Sequence, residues 1–219
     1  MSLVLFAHPF AAYCQKALIA LYENETPFTY RRLDKSDPSA FAELSALWPL
    51  KKFPVLLDDG RPVIEATILI EHLDIYHPGP VRLIPKEPAA TLEARFLDRF
   101  FDNYVATPQG KIVTDALREP GERDARGVAD ARAMLETAYA WLEQRMAGRE
   151  WATGEHFSLA DCAAAPALFY ADWTHPISER FPNVRVYRSR LNARPSFARA
   201  IEEARPYRSV FPLGAPERD

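Results

Sequence analysis

The chain has 219 residues, 48% of them hydrophobic and 26% charged, with a formal net charge of −3. That is ordinary globular composition, long enough for one large domain or two small ones. Lysine and arginine are scattered without a basic stripe, which argues against a nucleic-acid partner. Two cysteines, Cys14 and Cys162, give no disulfide framework and suit a reducing compartment. The opening MSLVLFAHPF holds a short apolar run without a basic flank, less than a secretory signal or a membrane span requires. A cytoplasmic protein without membrane contact is expected.

Short β-like runs at Leu3–Ala7, Phe28–Leu33, Val55–Leu57 and Val63–Ile64 alternate with helical patterns over Ala12–Glu23, Asp37–Leu47 and Glu65–Tyr76. Asp58-Asp59-Gly60 reads as the tight turn of a hairpin, where positive φ must be tolerated. The order predicts β-α-β followed by a hairpin and a helix, hence a mixed four-stranded sheet with an antiparallel edge. HPGPVRLIPKEP then brings four prolines and a glycine, which neither a helix nor a central strand accepts. The predicted organisation is a domain over 1–77, a linker over 78–88 and an all-helical domain over 89–219.

In that second part Leu92, Phe96, Phe100 and Tyr104 recur at four-residue spacing across Ala89–Val105, and Asp124–Met146 repeats the pattern. Pro108 should kink or break the first of these helices, since proline disfavours α geometry in the residue before it. Phe157-Ser158-Leu159-Ala160-Asp161 is a capping-box signature before a nearly all-apolar helix, which places that helix inside a bundle. Pro195 stands where one short helix gives way to another.

Among five histidines none has cysteine or carboxylate partners at zinc spacing; His72 and His77 read as a helix surface, and no metal is assigned. The stretch Leu47–Leu73, LWPLKKFPVLLDDGRPVIEATILIEHL, is more informative. Phe53-Pro54 is a candidate cis peptide at a strand start, a geometry that would turn the Phe53 backbone toward a ligand, with Lys52 and Glu65 as flanking charges. The alternative is that Pro54 merely begins an edge strand.

The Pro-rich linker between a small α/β domain and an all-helical one, KKFPVL followed by IEATILIEHL, and FSLAD opening a core helix together resemble the glutathione transferase family. The resemblance covers essentially the whole chain. It implies a thioredoxin-like domain followed by a helical domain, a homodimer, and glutathione as co-substrate for attack on a small hydrophobic electrophile. It further implies that Phe53, with Pro54, holds the cysteinyl backbone. Lys52 or a neighbour would take the glycine carboxylate, and the helix opening at Glu65 and Ala66 the γ-glutamyl carboxylate. A helix N-terminus suits a carboxylate physically.

Two departures stand out. Relatives usually carry Ser where Ala66 stands, with Thr67 as a possible substitute hydroxyl, and Ala11 and Ala12 occupy positions where Ser, Cys or Tyr would stabilise the thiolate. Only backbone N–H groups of Ala11 and Ala12 are then left for that task. Cys14 invites a thiol-redox alternative, although a free cysteine is more often a small core residue. A regulatory protein that binds glutathione without turnover is a further alternative. Tyr13 offers a phenol, and His8 is read as a strand-end residue bonded to backbone. Phe10, Phe101 and Tyr104 are the expected walls of the electrophile pocket.

Overall fold

The computed structural model describes residues 2–219. Strands β1 (Leu3–Ala7), β2 (Thr29–Arg32), β3 (Val55–Asp58) and β4 (Arg61–Ile64) form one sheet in the order β2-β1-β3-β4, interleaved with helices α1 (Ala12–Glu23), α2 (Pro38–Leu47) and α3 (Ala66–Tyr76). β1 runs parallel to β2, with Leu5 opposite Tyr30, and antiparallel to β3, with Leu5 opposite Leu56. The β3–β4 hairpin closes through Asp59 and Gly60, both at positive φ (46° and 82°), as a two-residue turn matched to strand twist requires. Alternation along β1 divides the core. Leu3, Leu5 and Ala7 pack with α1 and α3, whereas Phe6 faces the opposite layer with Ala40 and Leu44 of α2.

Residues 77–87 lie outside helices and strands, whereas Pro88, read as the end of the linker, opens the next helix at a position where proline is tolerated. This segment is tied to the end of α1: the Asn24 side chain donates to the Val81 carbonyl (3.0 Å) and accepts from its N–H (2.8 Å). A Cβ at Gly79 would lie 2.4 Å from Asn24, so only glycine permits that approach.

Helices α4 (Pro88–Phe100), α5 (Thr107–Ala116), α6 (Ala125–Arg145), α7 (Leu159–Thr174), α8 (Pro182–Ala193) and α9 (Pro195–Ala204) follow. Pro108 does not break the first of them. The turn before it, Phe101–Ala106, widens to π geometry and the helix continues. Pro108 cannot donate to the Tyr104 carbonyl, and the Thr107 N–H and hydroxyl both reach back to the carbonyl of Asp102 instead. α7 is buried along its whole length at the centre of the bundle, and the capping box forms. Asp161, fully buried, accepts from the N–H groups of Ser158 and Ala152 (both 2.9 Å) and from the Tyr187 hydroxyl (2.6 Å).

α1 is buried from Cys14 to Leu21 because α3 covers one side and α7 and α9 the other. Lys16 is therefore an interior residue, 1% exposed. Its Nζ lies 2.5 Å from Asp98 Oδ1 and 2.9 Å from Asp102 Oδ2, and donates to the Thr67 hydroxyl at 2.9 Å. Thr67 in turn donates to Asp98 (2.9 Å), and Arg99 bridges both carboxylates from the rim. Burial, and then the neighbouring Asp98, push the Asp102 carboxyl upward, while Lys16 opposes the shift.

Removing one partner of a buried ion pair leaves the other uncompensated, at a cost of about 3–5 kcal/mol. Lys16→Met should lower stability by about that amount in urea unfolding, and combining it with Asp98→Asn should recover part of the loss. Strictly additive losses would show that the charges are not coupled.

Candidate functional site

The β1–α1 loop, the loop before β3 and the start of α3 meet at a cleft of about 510 Å³. It is lined by Ala11 just before α1 and by Ala12 and Tyr13 within it, by Trp48, Lys51, Lys52, Phe53 and Pro54, and by Ile64, Glu65 and Ala66. The Phe53–Pro54 peptide is cis. The cleft thus brings together Ala11, Ala12, Lys52, Phe53, Pro54, Glu65 and Ala66, and adds Trp48 and Lys51. Neither addition carries a sequence signal beyond nearness to the Lys-Phe-Pro entry.

Two helices point their N-terminal ends into this space. The first amides of a helix lack intrahelical acceptors. Neither α1 nor α3 has a side-chain hydrogen bond capping its first amides or an acidic residue within its first turn, although the Glu65 carboxylate stands just before α3. Glu65, the residue before α3, sits at φ 73°, and Lys51 at φ 54°. Such backbone costs about 1–3 kcal/mol for a residue other than glycine and concentrates at ligand sites. With the ammonium groups of Lys51 and Lys52 and one carboxylate at Glu65, the cleft can receive a small molecule bearing two carboxylates and one ammonium.

The amides of Ala11 and Ala12 are not equivalent. The Ala11 N–H donates to the His8 carbonyl at 3.1 Å and is committed to the loop, which leaves Ala12 as the first helical donor. The Thr67 hydroxyl is equally committed, to Asp98, and does not replace the hydroxyl missing at Ala66. His8 behaves as a strand-end residue: its Nδ1 accepts from the Phe10 N–H (3.1 Å), which places any ring proton of the neutral form on Nε2, and burial lowers its pKa. Tyr13 is half-exposed at the cleft, and burial followed by Asp102 raises its phenol, keeping it a hydroxyl donor at neutral pH.

A second, mainly apolar pocket adjoins the first through the shared Ala12, walled by Phe10, Val113, Thr114, Tyr170 and Phe211 among others. Phe10 packs edge-on against Tyr170 (5.4 Å) and Phe211 (6.3 Å). Phe10 lines this pocket, but Phe101 and Tyr104 are elsewhere. Phe101 is 0% exposed in the bundle core, and Tyr104, 46% exposed, lines a separate groove with Phe96, Met134 and Trp141. Helical spacing predicts that these residues share a stripe, not which neighbour the stripe faces. Tyr170 lies within a nearly all-apolar helix and Phe211 beyond the last α-helix, so neither stands out in sequence.

The fold also places Asp58, 14 residues before His72, between that histidine and His77, well away from the cleft.

The family model for the glutathione S-transferase N-terminal domain matches residues 5–81, and that for the C-terminal domain matches residues 116–190. Glutathione S-transferase U19 of Arabidopsis thaliana is 30% identical over 171 residues, 77% of this chain and 71% of that protein. The chain belongs to the glutathione S-transferase family. A probable glutathione S-transferase of Nicotiana tabacum is 31% identical over 146 residues, 63% of this chain, and that match spans 60% of the tobacco protein's length. A glutathione S-transferase from Methylobacterium radiotolerans, solved as a complex with glutathione sulfonate, superposes with a TM-score of 0.78 at 28% identity, covering 92% of this chain and 95% of that one. The four-stranded mixed sheet followed by helices is the glutathione S-transferase fold. Among the described residues no helix is long and apolar enough to cross a membrane.

The redox alternative meets a physical obstacle. Cys14 is fully buried, its Sγ accepts from the His8 N–H at 3.4 Å, and burial pushes its thiol up to about 12. Cys162 is likewise raised well above its ordinary value by burial. Since the thiolate is the nucleophile, the native chain at pH 8 should react with neither equivalent of a chromogenic disulfide reagent, and with both once unfolded. Rapid uptake of one equivalent by the folded protein would restore Cys14 as a reactive group.

Proposed function

We propose that the cleft binds glutathione and that the chain directs its thiolate at a small hydrophobic electrophile held in the adjoining pocket. The observation that carries this reading is the convergence of two uncapped helix N-termini on one cleft whose other charges are Lys51, Lys52 and Glu65. Glutathione supplies the matching set of two carboxylates, one ammonium and one thiol. The glutathione S-transferase relatives, and the glutathione sulfonate bound in the Methylobacterium structure, support the same ligand.

In this reading the first-turn amides of α3 receive the γ-glutamyl carboxylate, Glu65 faces the ammonium, and Lys52 with Lys51 meets the glycine carboxylate. Phe53 holds the central backbone. The thiol reaches the N-terminus of α1, where the Ala12 amide and the helix dipole favour the thiolate and the proton leaves to solvent. Sulfur then attacks an electrophilic carbon in the pocket walled by Phe10, Tyr170 and Phe211; the new S–C bond forms as the leaving group departs with its electron pair. Holding both reactants in one site removes the entropic cost of their encounter from the chemical step.

A second reading, a glutathione-binding regulator without turnover, is favoured by the absence of a hydroxyl or thiol side chain at Ala11, Ala12 and Ala66 and by the commitment of the Ala11 amide. Ala12 begins α1, and proline is accepted at a first helical position, so Ala12→Pro deletes one N–H with little disturbance. A hydrogen bond to a charged group contributes about 1.5–3 kcal/mol, hence Ala12→Pro should cut turnover of an activated aromatic halide by about 10- to 150-fold. Ala12→Ser should not. Titration calorimetry should show glutathione bound, with its thiolate absorbance appearing at lower pH than in free glutathione. Binding without that shift, and without turnover, would favour the regulator.

The homodimer belongs to the same proposal. Phe96, Tyr104, Met134 and Trp141 expose apolar surface along one groove, a face suited to a second copy. Sedimentation of the native chain should give a dimer that Trp141→Glu dissociates; a native monomer would remove this element.

A further inference from the structure

Three ligand-capable side chains meet at the end of the hairpin remote from the cleft. Asp58 closes β3, His72 lies on α3, and His77 is the residue at which α3 ends. His72 Nε2 and His77 Nε2 stand 2.8 and 2.7 Å from the same oxygen, Asp58 Oδ2. One ligand atom from each residue lies within 4.8 Å of the other two. His72 and His77 lie about 10 and 18 Å along α3 from Glu65, by the rise of an α-helix.

The convergence depends on how α3 terminates. Five residues of continued helix would turn His77 about 140° around the axis from His72. At His77 the backbone instead takes φ −133° and ψ 51°, and its ring swings to the same point. His72 is further ordered by the Tyr76 ring, 4.6 Å away. The three side chains are 13–20% exposed, fixed by packing yet open to solvent on one side.

We propose that Asp58, His72 and His77 form a binding site for one divalent transition-metal ion of the zinc class, with solvent in the remaining position. Two imidazoles and one carboxylate are a borderline donor set, preferred by zinc, cobalt and copper over magnesium or calcium. Bonds of about 2.0–2.2 Å in a tetrahedron separate ligand atoms by roughly 3.3 Å. The present 2.7 and 2.8 Å separations need to open by only about half an ångström, within the reach of small side-chain rotations. Each neutral imidazole binds the ion as its Nδ1–H tautomer, its hydrogen passing through solvent from Nε2 to Nδ1, and the ion replaces the two N–H···O contacts with three bonds. It thereby fastens the β3–β4 turn to the far end of α3. None of these residues is used by the glutathione reading, and either can fail without the other.

The test is calorimetric titration of the untagged full chain with zinc chloride, together with the visible absorption of the cobalt complex. We expect one ion per chain, and cobalt bands of a four-coordinate nitrogen and oxygen site. His72→Gln, which retains a side-chain amide able to reach Asp58, and Asp58→Asn should each weaken binding by more than the about 10- to 100-fold typical of losing an outer-shell partner. His156→Gln, on an exposed loop, should leave it unchanged. Zinc should raise the melting temperature of the native chain but not that of His72→Gln. No saturable uptake, or uptake that persists in both ligand variants, would overturn the proposal and leave the three residues as a hydrogen-bonded clasp.

Discussion

The structure depends on keeping one lysine dry. α1 is enclosed by the sheet with its covering helix on one side and by the bundle on the other, so its polar residue at position 16 has no route to water. A bare ammonium there would be prohibitive; matched by Asp98, Asp102 and the Thr67 hydroxyl, it becomes the cross-tie between the two halves. The partners sit on α3, on α4 and on the π turn that follows α4. One buried ammonium therefore sets the relative placement of the two helix N-termini that face the cleft. The π turn has a reason within the same arrangement. Pro108 enforces it, and Asp102 lies within it.

Rigidity of that kind suits a site so poor in polar side chains to charged groups. Backbone amides at helix starts cost no side-chain entropy to orient and cannot rotate away, so a cleft built from them is preorganised. Glu65 and Lys51, both held in the left-handed region, indicate that the surrounding fold imposes this geometry against local preference. Alanine at 11 and 12 also leaves the wall between the charged cleft and the apolar pocket thin, and Ala12 lines both.

Much of this was legible in the sequence, and the reasons are local. Alternation and turn chemistry give β1, the Asp59-Gly60 hairpin and helices α1 to α3 to within a residue or two, because each is decided by neighbours along the chain. Ser158 and Asp161 announce α7 for the same reason. The cleft residues from Lys52 to Ala66 are contiguous enough to be read together. What escaped are pairings made by the fold across long separations: Lys16 with Asp98, Phe10 with Tyr170 and Phe211, Asp58 with two histidines. Phe101 and Tyr104 show the converse, since periodicity places them on a helix without saying whether the bundle core or an outer groove receives them. Pro108 reads as a kink or break because the rule it obeys concerns α geometry, and the π turn is another way of obeying it.

The strap of residues 77–87 over the end of α1 bears on mechanics. Asn24 grips Val81 through both its donor and its acceptor, and Gly79 crosses so near that no side chain fits beneath. A connection free to swing would let the halves rock as separate bodies and would make the space between them elastic. Pinned at Asn24, the crossover behaves as a rivet rather than a hinge. The Leu159 N–H donates to the Leu83 carbonyl at 2.9 Å, so the same crossover is held by both halves and displacement of one is carried to the other.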